Sequence, residues 1–156
     1  MKAWTTHAVT APAPLELEAQ VQTLRQRPGL SSLCKVHLQA FVSATSGVTA
    51  AIVATSDGFE VASVLHSSLS PEKMAAMTSS ILALGEAVLA EAGLVDCQNV
   101  VIESHGGLIV MLSVGDPDGE LLLSVITDGN AMLGQVLWAA RRCCQTVRAG
   151  VAPALD

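Results

Sequence analysis

The stretch Ser70–Gly93, SPEKMAAMTSSILALGEAVLAEAG, decides the fold of this chain. Ser70 is a favoured N-cap residue, Pro71 suits the first helical position and Gly93 supplies a stop, so the stretch predicts one uninterrupted helix. Its apolar residues share one broad side, formed by Met74, Met77, Ile81, Leu84, Val88 and Ala92 and widened by Ala75, Leu82 and Leu89. That side covers about half of the circumference, whereas a surface helix packed on one core needs a stripe of roughly 100°. We therefore expect this helix to contact more than its own sheet.

The other side of the same helix carries few charges. It is made mainly of small residues: Ala76, Ser79, Ser80, Ala83, Ala87 and Ala90. Alanine is the best helix former, so intrinsic propensity alone is the competing explanation for this composition. Small side chains also let another backbone come close, and the hypothesis favoured here is a surface that binds a partner protein.

Composition limits the function classes that fit the chain. Its 156 residues can bury one sizeable core, and 51% hydrophobic against 14% charged residues favours a sheet covered on both faces, or an oligomer. The net charge of −6 argues against binding to nucleic acid or to an anionic membrane surface, because both require clustered lysine and arginine. No signal peptide is evident, and the longest apolar run, Leu108–Leu112, is far shorter than a membrane-spanning helix of about 20 residues. We expect no membrane span.

The four cysteines lack the regular spacing of a disulfide framework. They are Cys34, Cys97, Cys143 and Cys144. Cys143 and Cys144 are adjacent on a predicted helix, where a bond between them would be badly strained. Reduced thiols and a cytoplasmic location are therefore expected.

Hydrophobic periodicity and turn residues predict three helices and five strands in the main part of the chain. In order they are a helix at Ser31–Ala44, strands at Val48–Thr55 and Phe59–His66, the helix Ser70–Gly93, strands at Asn99–Ser104, Leu108–Val114 and Glu120–Thr127, and a helix at Ala131–Val147. Short turns at Asp57-Gly58 and Gly106-Gly107 require antiparallel neighbours. The predicted fold class is α+β, an α/β sandwich with the order α-β-β-α-β-β-β-α and one five-stranded antiparallel sheet between helices.

Local signals refine the two outer helices and the domain limits. The last helix is predicted to be capped by Asp128 or Asn130 and to end before Gly150. The buried side of the first helix is predicted to comprise Leu33, Val36, Ala40, Phe41 and Ala44. Residues 30–150 form the predicted domain and 151–156 a tail. Residues 1–29 form a partly flexible extension with a short helix at Pro14–Arg27, in which Leu17, Val21 and Leu24 share one side.

Four local features occur together in this order of elements. They are Gly47-Val48-x-x-Ala51 leading into a strand, Asp57-Gly58 before its return strand, a middle helix begun by a proline, and Thr127-Asp128-x-Asn130 before the last helix. With these features residues 30–150 resemble the roadblock/dynein light chain family. The related longin and profilin-like folds share parts of the pattern and are the alternatives. The extension is a departure, because a minimal member lacks it.

The resemblance implies a homodimer with a regulatory role. Members of the family pair their third strands antiparallel across a two-fold axis, and their middle helices then lie side by side. Bacterial members often act beside small Ras-like GTPases, as platforms or activators without a catalytic residue of their own. Carried onto this chain, the resemblance places the dimer interface at Met74, Met77, Ile81, Leu84, Val88, Val100, Val101 and Ile102.

The sequence carries no complete motif for catalysis, for a cofactor or for a metal. No nucleophile elbow is present, and Gly106-Gly107 lacks the lysine and the following helix of a phosphate-binding P-loop. Cys34 and His37 have a spacing that can hold a metal but offer only two ligands. The expectation is a protein that is not an enzyme and has no catalytic, cofactor-binding or metal-binding residues.

The last helix offers a second candidate contact surface. Trp138 lies almost opposite its apolar side, with Arg141 and Arg142 three and four residues further on, and tryptophan and arginine are enriched at interface hot spots. The competing explanation is that residues 1–27 fold back over Trp138 while the arginines favour the helix C-terminus. The candidate partner surface therefore comprises Ala76, Ser79, Ser80, Ala83, Ala87, Trp138, Arg141 and Arg142.

Three functional hypotheses follow. The first is a homodimeric platform that regulates or scaffolds a small Ras-like GTPase. The second is a nucleotide-independent adaptor that binds another subunit of a motility or signalling complex. The third is a small-molecule sensor, which would need a cavity lined by polar groups.

Overall fold

The computed structural model describes residues 29–66, 68–116 and 121–152. The extension before Gly29, including the helix predicted at Pro14–Arg27, lies outside the described residues. In chain order the elements are α1 (Leu30–Ala44), β1 (Val48–Thr55), β2 (Glu60–Leu65), α2 (Pro71–Glu91), β3 (Val100–Ser104), β4 (Gly107–Ser113), β5 (Leu121–Thr127) and α3 (Leu133–Val151). The predicted order α-β-β-α-β-β-β-α is confirmed.

The five strands form one antiparallel sheet with the order β2-β1-β5-β4-β3. The last strand in sequence, β5, lies between β1 and β4 and pairs with both. Central strands are covered on both faces, which explains why β1 and β5 are apolar along almost their whole length and buried at nearly every position. The two strands at the edges, β2 and β3, are more exposed.

Helices cover both faces of this sheet unequally. On one face α1 packs against β1 and β2, α3 packs against β4 and β5, and the two helices contact each other. Leu38, Val125 and Val136 lie in the large core between them and the sheet. On the other face α2 is the only helix among the described residues, and it lies over a small cluster that contains Leu82, Met111 and Leu122.

The prediction of which side of α1 is buried is mostly wrong. The residues of α1 that enter the core are Leu30, Cys34, Leu38, Phe41 and Val42, so only Phe41 was assigned correctly as fully buried. Val36 is 62% exposed, and Ala40 and Ala44 are exposed as well. α1 therefore has two apolar sides, and periodicity could not tell which of them faces the sheet.

The predicted ends of α3 are also wrong. Neither proposed residue caps it: the Asp128 carboxylate accepts a hydrogen bond from the backbone N–H of Asn130 at 2.8 Å, and the helix begins after Met132 without a side-chain cap. At the other end α3 continues through Gly150 to Val151, which is buried. A β-carbon at position 150 would lie 2.9 Å from Leu33, so this glycine allows close packing of α3 on α1.

Candidate functional site

The predicted start of α2 is confirmed. The Ser70 hydroxyl accepts a hydrogen bond from the Lys73 backbone N–H at 3.3 Å, and Pro71 occupies the first turn. The side of α2 that faces the sheet is narrower than its apolar surface, since only Ala75, Thr78 and Leu82 are fully buried. The Thr78 hydroxyl is satisfied within the helix, because it donates to the Met74 carbonyl at 2.7 Å.

One flank of α2 is held by the β1–β2 turn. The Ser79 hydroxyl donates a hydrogen bond to the Ser56 carbonyl, and a β-carbon at Gly58 would lie 3.1 Å from the Cα of Ala76. Two residues of the predicted partner surface, Ala76 and Ser79, therefore contact the protein's own hairpin.

The opposite flank of α2 faces β3. A β-carbon at Gly85 would lie 3.1 Å from Val100 and 3.3 Å from the sulfur of Cys97. One turn earlier, Ile81 packs against the same small cluster as Val100. These contacts fix the orientation of the helix across the sheet.

An apolar seam runs along this flank. We define it as Met74, Met77, Ile81, Leu84 and Val88, which alternate at spacings of three and four residues. That spacing is the one by which two helices pack side by side in a coiled coil. Met74 and Ile81 are half-buried, whereas Met77, Leu84 and Val88 are exposed, Leu84 by 65%. Beyond the helix, Leu94 and Val95 are also exposed, so the apolar surface extends past the end of α2.

Beside the seam, β3 forms an open edge. Within the described part of the chain β3 pairs only with β4, so its outer backbone groups have no strand partner. Ile102, 41% exposed, and Val100 lie on the α2 face of the sheet, whereas Val101 packs against the large core on the other face. Val100, Val101 and Ile102 were all assigned to the interface. The side chain of Val101 faces away from the seam, so only its backbone can contribute to an interface there.

The residues predicted as one partner surface lie on two surfaces. Ser80, Ala83 and Ala87 are exposed on α2. Trp138 is on α3, across the sheet from α2, and is 62% exposed. The Arg142 guanidinium stacks over its ring, 4.9 Å from the centroid, in a cation–π contact. Arg141 is exposed too, but it lines a separate small cavity with Arg148.

Trp138 forms part of a groove of about 760 Å³ between α1 and α3. The walls of this α1/α3 groove are mainly apolar and include Ala40, Phe41, Ala44, Trp138, Ala139 and Arg142. Sequence reasoning missed the groove because it assigned Ala40 and Ala44 to the buried core. The exposed Trp138 was the one signal that pointed to it.

Three cysteine thiols lie in the core between α1 and α3. Burial raises the pKa of Cys34 and of Cys143 to about 11, and that of Cys144 to about 12. A thiol whose pKa is raised in this way is a poor nucleophile near neutral pH. Among the described residues, no group of three or more histidine, cysteine and acidic residues is placed to hold a metal ion.

These thiols give a testable prediction. At pH 8 a thiol reagent should modify the half-buried Cys97 in the folded protein and leave Cys34, Cys143 and Cys144 unmodified. The ordinary thiol pKa is 9.0, so the stability that the protonated thiols provide is complete below pH 9 and is lost as the pH rises towards 11. Mass spectrometry of the labelled protein and the pH dependence of Tm measure the two effects. Equal labelling of all four cysteines would contradict the burial described here.

The length and composition of α2 raise the question of a membrane. Among the described helices, α2 alone is long and apolar enough to cross one, with a mean hydropathy of 1.3 over the tested window. This is weak evidence, because helices that pack on a sheet pass the same test. Glu86 and Glu91 are charged residues on the exposed part of the helix. The absence of a membrane span stays an expectation from the sequence.

The elements that carry the seam match a known family. Residues 36–127, which include α2 and β3, match the Roadblock/LC7 domain. The chain belongs to this family. Two uncharacterized proteins of Methanocaldococcus jannaschii are each 30% identical to it over 105 residues, which is 67% of this chain and 89% of each relative. The predicted family is thereby confirmed.

Solved structures of roadblock proteins share the fold. A Roadblock/LC7 domain from Streptomyces avermitilis superimposes with a TM-score of 0.69 at 19% identity, covering 76% of this chain and 97% of that domain. MglB of Myxococcus xanthus has a TM-score of 0.67 at 14% identity, covering 84% of this chain and 93% of that protein. Profilin IA of Acanthamoeba castellanii has a TM-score of 0.56 at 12% identity, covering 75% and 98%. These identities show the common fold alone, and the roadblock and profilin-like fold class is confirmed.

Family membership supports a regulatory or adaptor role. The family match includes the apolar seam and the open edge of β3. It does not extend to α3, to Trp138 or to the residues before α1. The seam therefore lies within the matched residues, whereas one wall of the α1/α3 groove lies outside them.

Proposed function

We propose that this protein is a cytoplasmic homodimeric platform that regulates or scaffolds a small Ras-like GTPase and performs no catalysis of its own. The observation that carries the proposal is the exposed apolar seam of α2 beside the open edge of β3. An exposed apolar patch of this kind is typical of an interaction site.

A two-fold dimer accounts for both features together. In such a dimer the same surface is used by both copies, so β3 of one protomer would pair antiparallel with β3 of its partner. This pairing satisfies the outer N–H and C=O groups of the edge strand. Because the seam lies on the β3 flank of α2, the same symmetry brings the two seams together and buries Leu84 and Val88.

The platform is the part of α2 that such a dimer leaves exposed. Ser80, Ala83 and Ala87 point away from the sheet and lie outside the seam. Their small side chains allow a partner's backbone to approach closely, and two neighbouring helices double the area. A platform of this kind changes the state of a GTPase only through unequal affinity for its two nucleotide forms. The resemblance of the chain to GTPase-associated family members supports this class of partner.

Affinity for a GTPase in its two nucleotide states tests the proposal. Each small Ras-like GTPase of the source organism is loaded with GDP or with a non-hydrolysable GTP analogue, and its binding to the full-length protein is measured by calorimetry. We expect one nucleotide state to bind more tightly, and Ala83→Arg, which places a long charged side chain on the platform, to weaken that binding. Trp138→Ala is the control, because Trp138 lies on the other face of the sheet.

Two other outcomes favour different functions. Equal affinity for both nucleotide states would contradict regulation and favour the nucleotide-independent adaptor. Absence of binding to any GTPase of the organism would contradict the whole proposal. The small-molecule sensor is not favoured by the structure, because the α1/α3 groove is a mainly apolar surface channel rather than a polar cavity.

A further inference from the structure

We propose that the N-terminal segment Pro14–Arg27 of this chain folds as a helix into the α1/α3 groove and covers Trp138. The inference does not depend on a GTPase partner. It rests on the second apolar side of α1, on the point where the described chain begins, and on the pattern of the segment itself.

Large and small apolar side chains are exposed in and beside the α1/α3 groove. Ala40 and Ala44 line the groove and are exposed, and Val36, one turn before Ala40 on the same side of α1, is exposed beside it. Trp138 stands on the facing helix and is also exposed. An aromatic side chain of this size gains substantial free energy when it is buried. The surface therefore fits an apolar helix lying along α1 and α3.

The start of α1 suits a reversal of chain direction. Gly29 has a φ of +89°, a left-handed conformation that suits glycine, and Pro28 stands directly before it. Such a Pro-Gly pair favours a reversal of chain direction. A segment that reverses at this point runs back along α1.

The lengths agree. At 1.5 Å per residue, the fourteen residues of Pro14–Arg27 make a helix of about 21 Å, and α1 is about 22 Å long. α1 and α3 run antiparallel, since Leu33 near the start of α1 contacts Gly150 near the end of α3. The groove lies at the opposite end, beside Phe41, Ala44 and Trp138. A helix paired with α1 from its start therefore reaches the whole groove.

The apolar side of the segment matches the exposed side of α1. Leu17, Val21 and Leu24 are four and three residues apart and share one face of a helix. Counted back from the turn at Pro28-Gly29, Leu24 lies level with Leu33. Val21 and Leu17 then lie level with Val36 and Ala40, two residues that the described chain leaves exposed.

The acidic residues of the segment also complement the groove. Glu16 and Glu18 stand at the end of the segment that would approach Trp138, where Arg142 lies over the indole ring. Arg25 and Arg27 stand at the other end, near the last turn of α3, which already carries Arg148, so only Glu16 and Glu18 complement a charge of the groove. The reverse orientation would place these arginines beside Arg142.

Docking in this groove leaves the proposed dimer and platform free. The groove lies on the α1 and α3 face of the sheet, and the apolar seam lies on the α2 face. The extension would therefore cover the groove of one protomer without masking the apolar seam or the edge of β3.

Fluorescence of Trp138 in the full-length protein tests the inference. Trp4→Phe leaves Trp138 as the sole tryptophan. We expect acrylamide to quench its emission severalfold less in this parent than in the same chain with Leu17→Glu and Val21→Glu. The matched control is Ala19→Glu, which adds a carboxylate on the opposite side of the segment and should keep the protection. Circular dichroism establishes that each variant retains the fold of the domain.

Two results would overturn the inference. Equal, strong quenching in the parent and in the Leu17→Glu/Val21→Glu variant would show that the groove is open to a different partner. Protection that disappears on dilution would show that the segment of a second copy fills it. Protection that is independent of concentration and lost only in the Leu17→Glu/Val21→Glu variant supports docking within one chain.

Discussion

Replacing Gly107 with alanine is expected to cause the largest loss of stability of any single methyl addition described here. A β-carbon at this position would overlap the Thr127 carbonyl oxygen and lie 2.9 Å from its carbonyl carbon. Gly107 also has a φ of +151°, a region that only glycine enters easily. Overpacking against a backbone and the strained conformation together destabilise by about 4 kcal/mol. That is a large share of the roughly 5–15 kcal/mol by which a domain is stable.

The neighbouring glycine provides a matched control. A β-carbon at Gly106 would meet only the Ser104 hydroxyl, at 4.0 Å. Gly106→Ala should therefore change the free energy of unfolding by less than about 0.5 kcal/mol, as for most surface substitutions. Urea unfolding of both variants measures the difference. Similar stability of the two variants would contradict the close packing of the β3–β4 turn on the end of β5.

The second large effect concerns association. Leu84→Glu should convert the protein to monomers, because a two-fold interface would bury two unpaired carboxylates at once. The loss exceeds several kcal/mol, and since each 1.4 kcal/mol is a factor of ten, the dimer dissociation constant should rise more than about a hundredfold. Leu84 is 65% exposed within one chain, so the melting temperature of the monomeric fold should change little.

Ala83→Glu is the control for this substitution. Ala83 is exposed and directly precedes Leu84, so the helical period turns its side chain about 100° away from that of Leu84 and outside the apolar seam. The same carboxylate at position 83 should leave the mass in solution unchanged. Dissociation by both substitutions would indicate a general effect of charge on α2 rather than loss of the seam.

Local patterns were sufficient to predict the order and position of the elements. β1 begins and ends at the predicted residues, Val48 and Thr55, because a buried strand is an apolar run bounded by turn residues. The start of α2 was predicted for a similar reason, since its cap lies in the sequence next to the backbone that it satisfies. The end of α3 was not predicted correctly, because the packing of its last turn depends on Leu33, which is distant in the sequence.

Which side of each helix faces the sheet could not be predicted from periodicity. α1 and α2 each have apolar residues over more of the circumference than one core can cover. On α2 the side that faces the sheet is Ala75, Thr78 and Leu82, and the seam is its flank. On α1 the side chains of Cys34 and Leu38 are buried in the core, whereas Val36 is exposed. Tertiary packing determines which side faces the sheet, and the periodicity of a single helix carries no information about that packing.

The sequence could group the residues of one helix but could not show how the helices are arranged around the sheet. The seam residues of α2 were identified together, because they are close in one helix. Trp138 was placed on one surface with Ala83 and Ala87, whereas the sheet separates them. The topology β2-β1-β5-β4-β3 puts α3 across the sheet from α2, and only the three-dimensional structure shows that relation.

The mass of the unmodified protein in solution tests the central claim most directly. Sedimentation equilibrium at micromolar concentration should give twice the 16.1 kDa of one chain, because the apolar seam and the edge of β3 are covered by a second copy. A mass of 16.1 kDa at that concentration would contradict the homodimer, and with it the platform that two adjacent α2 helices are proposed to form.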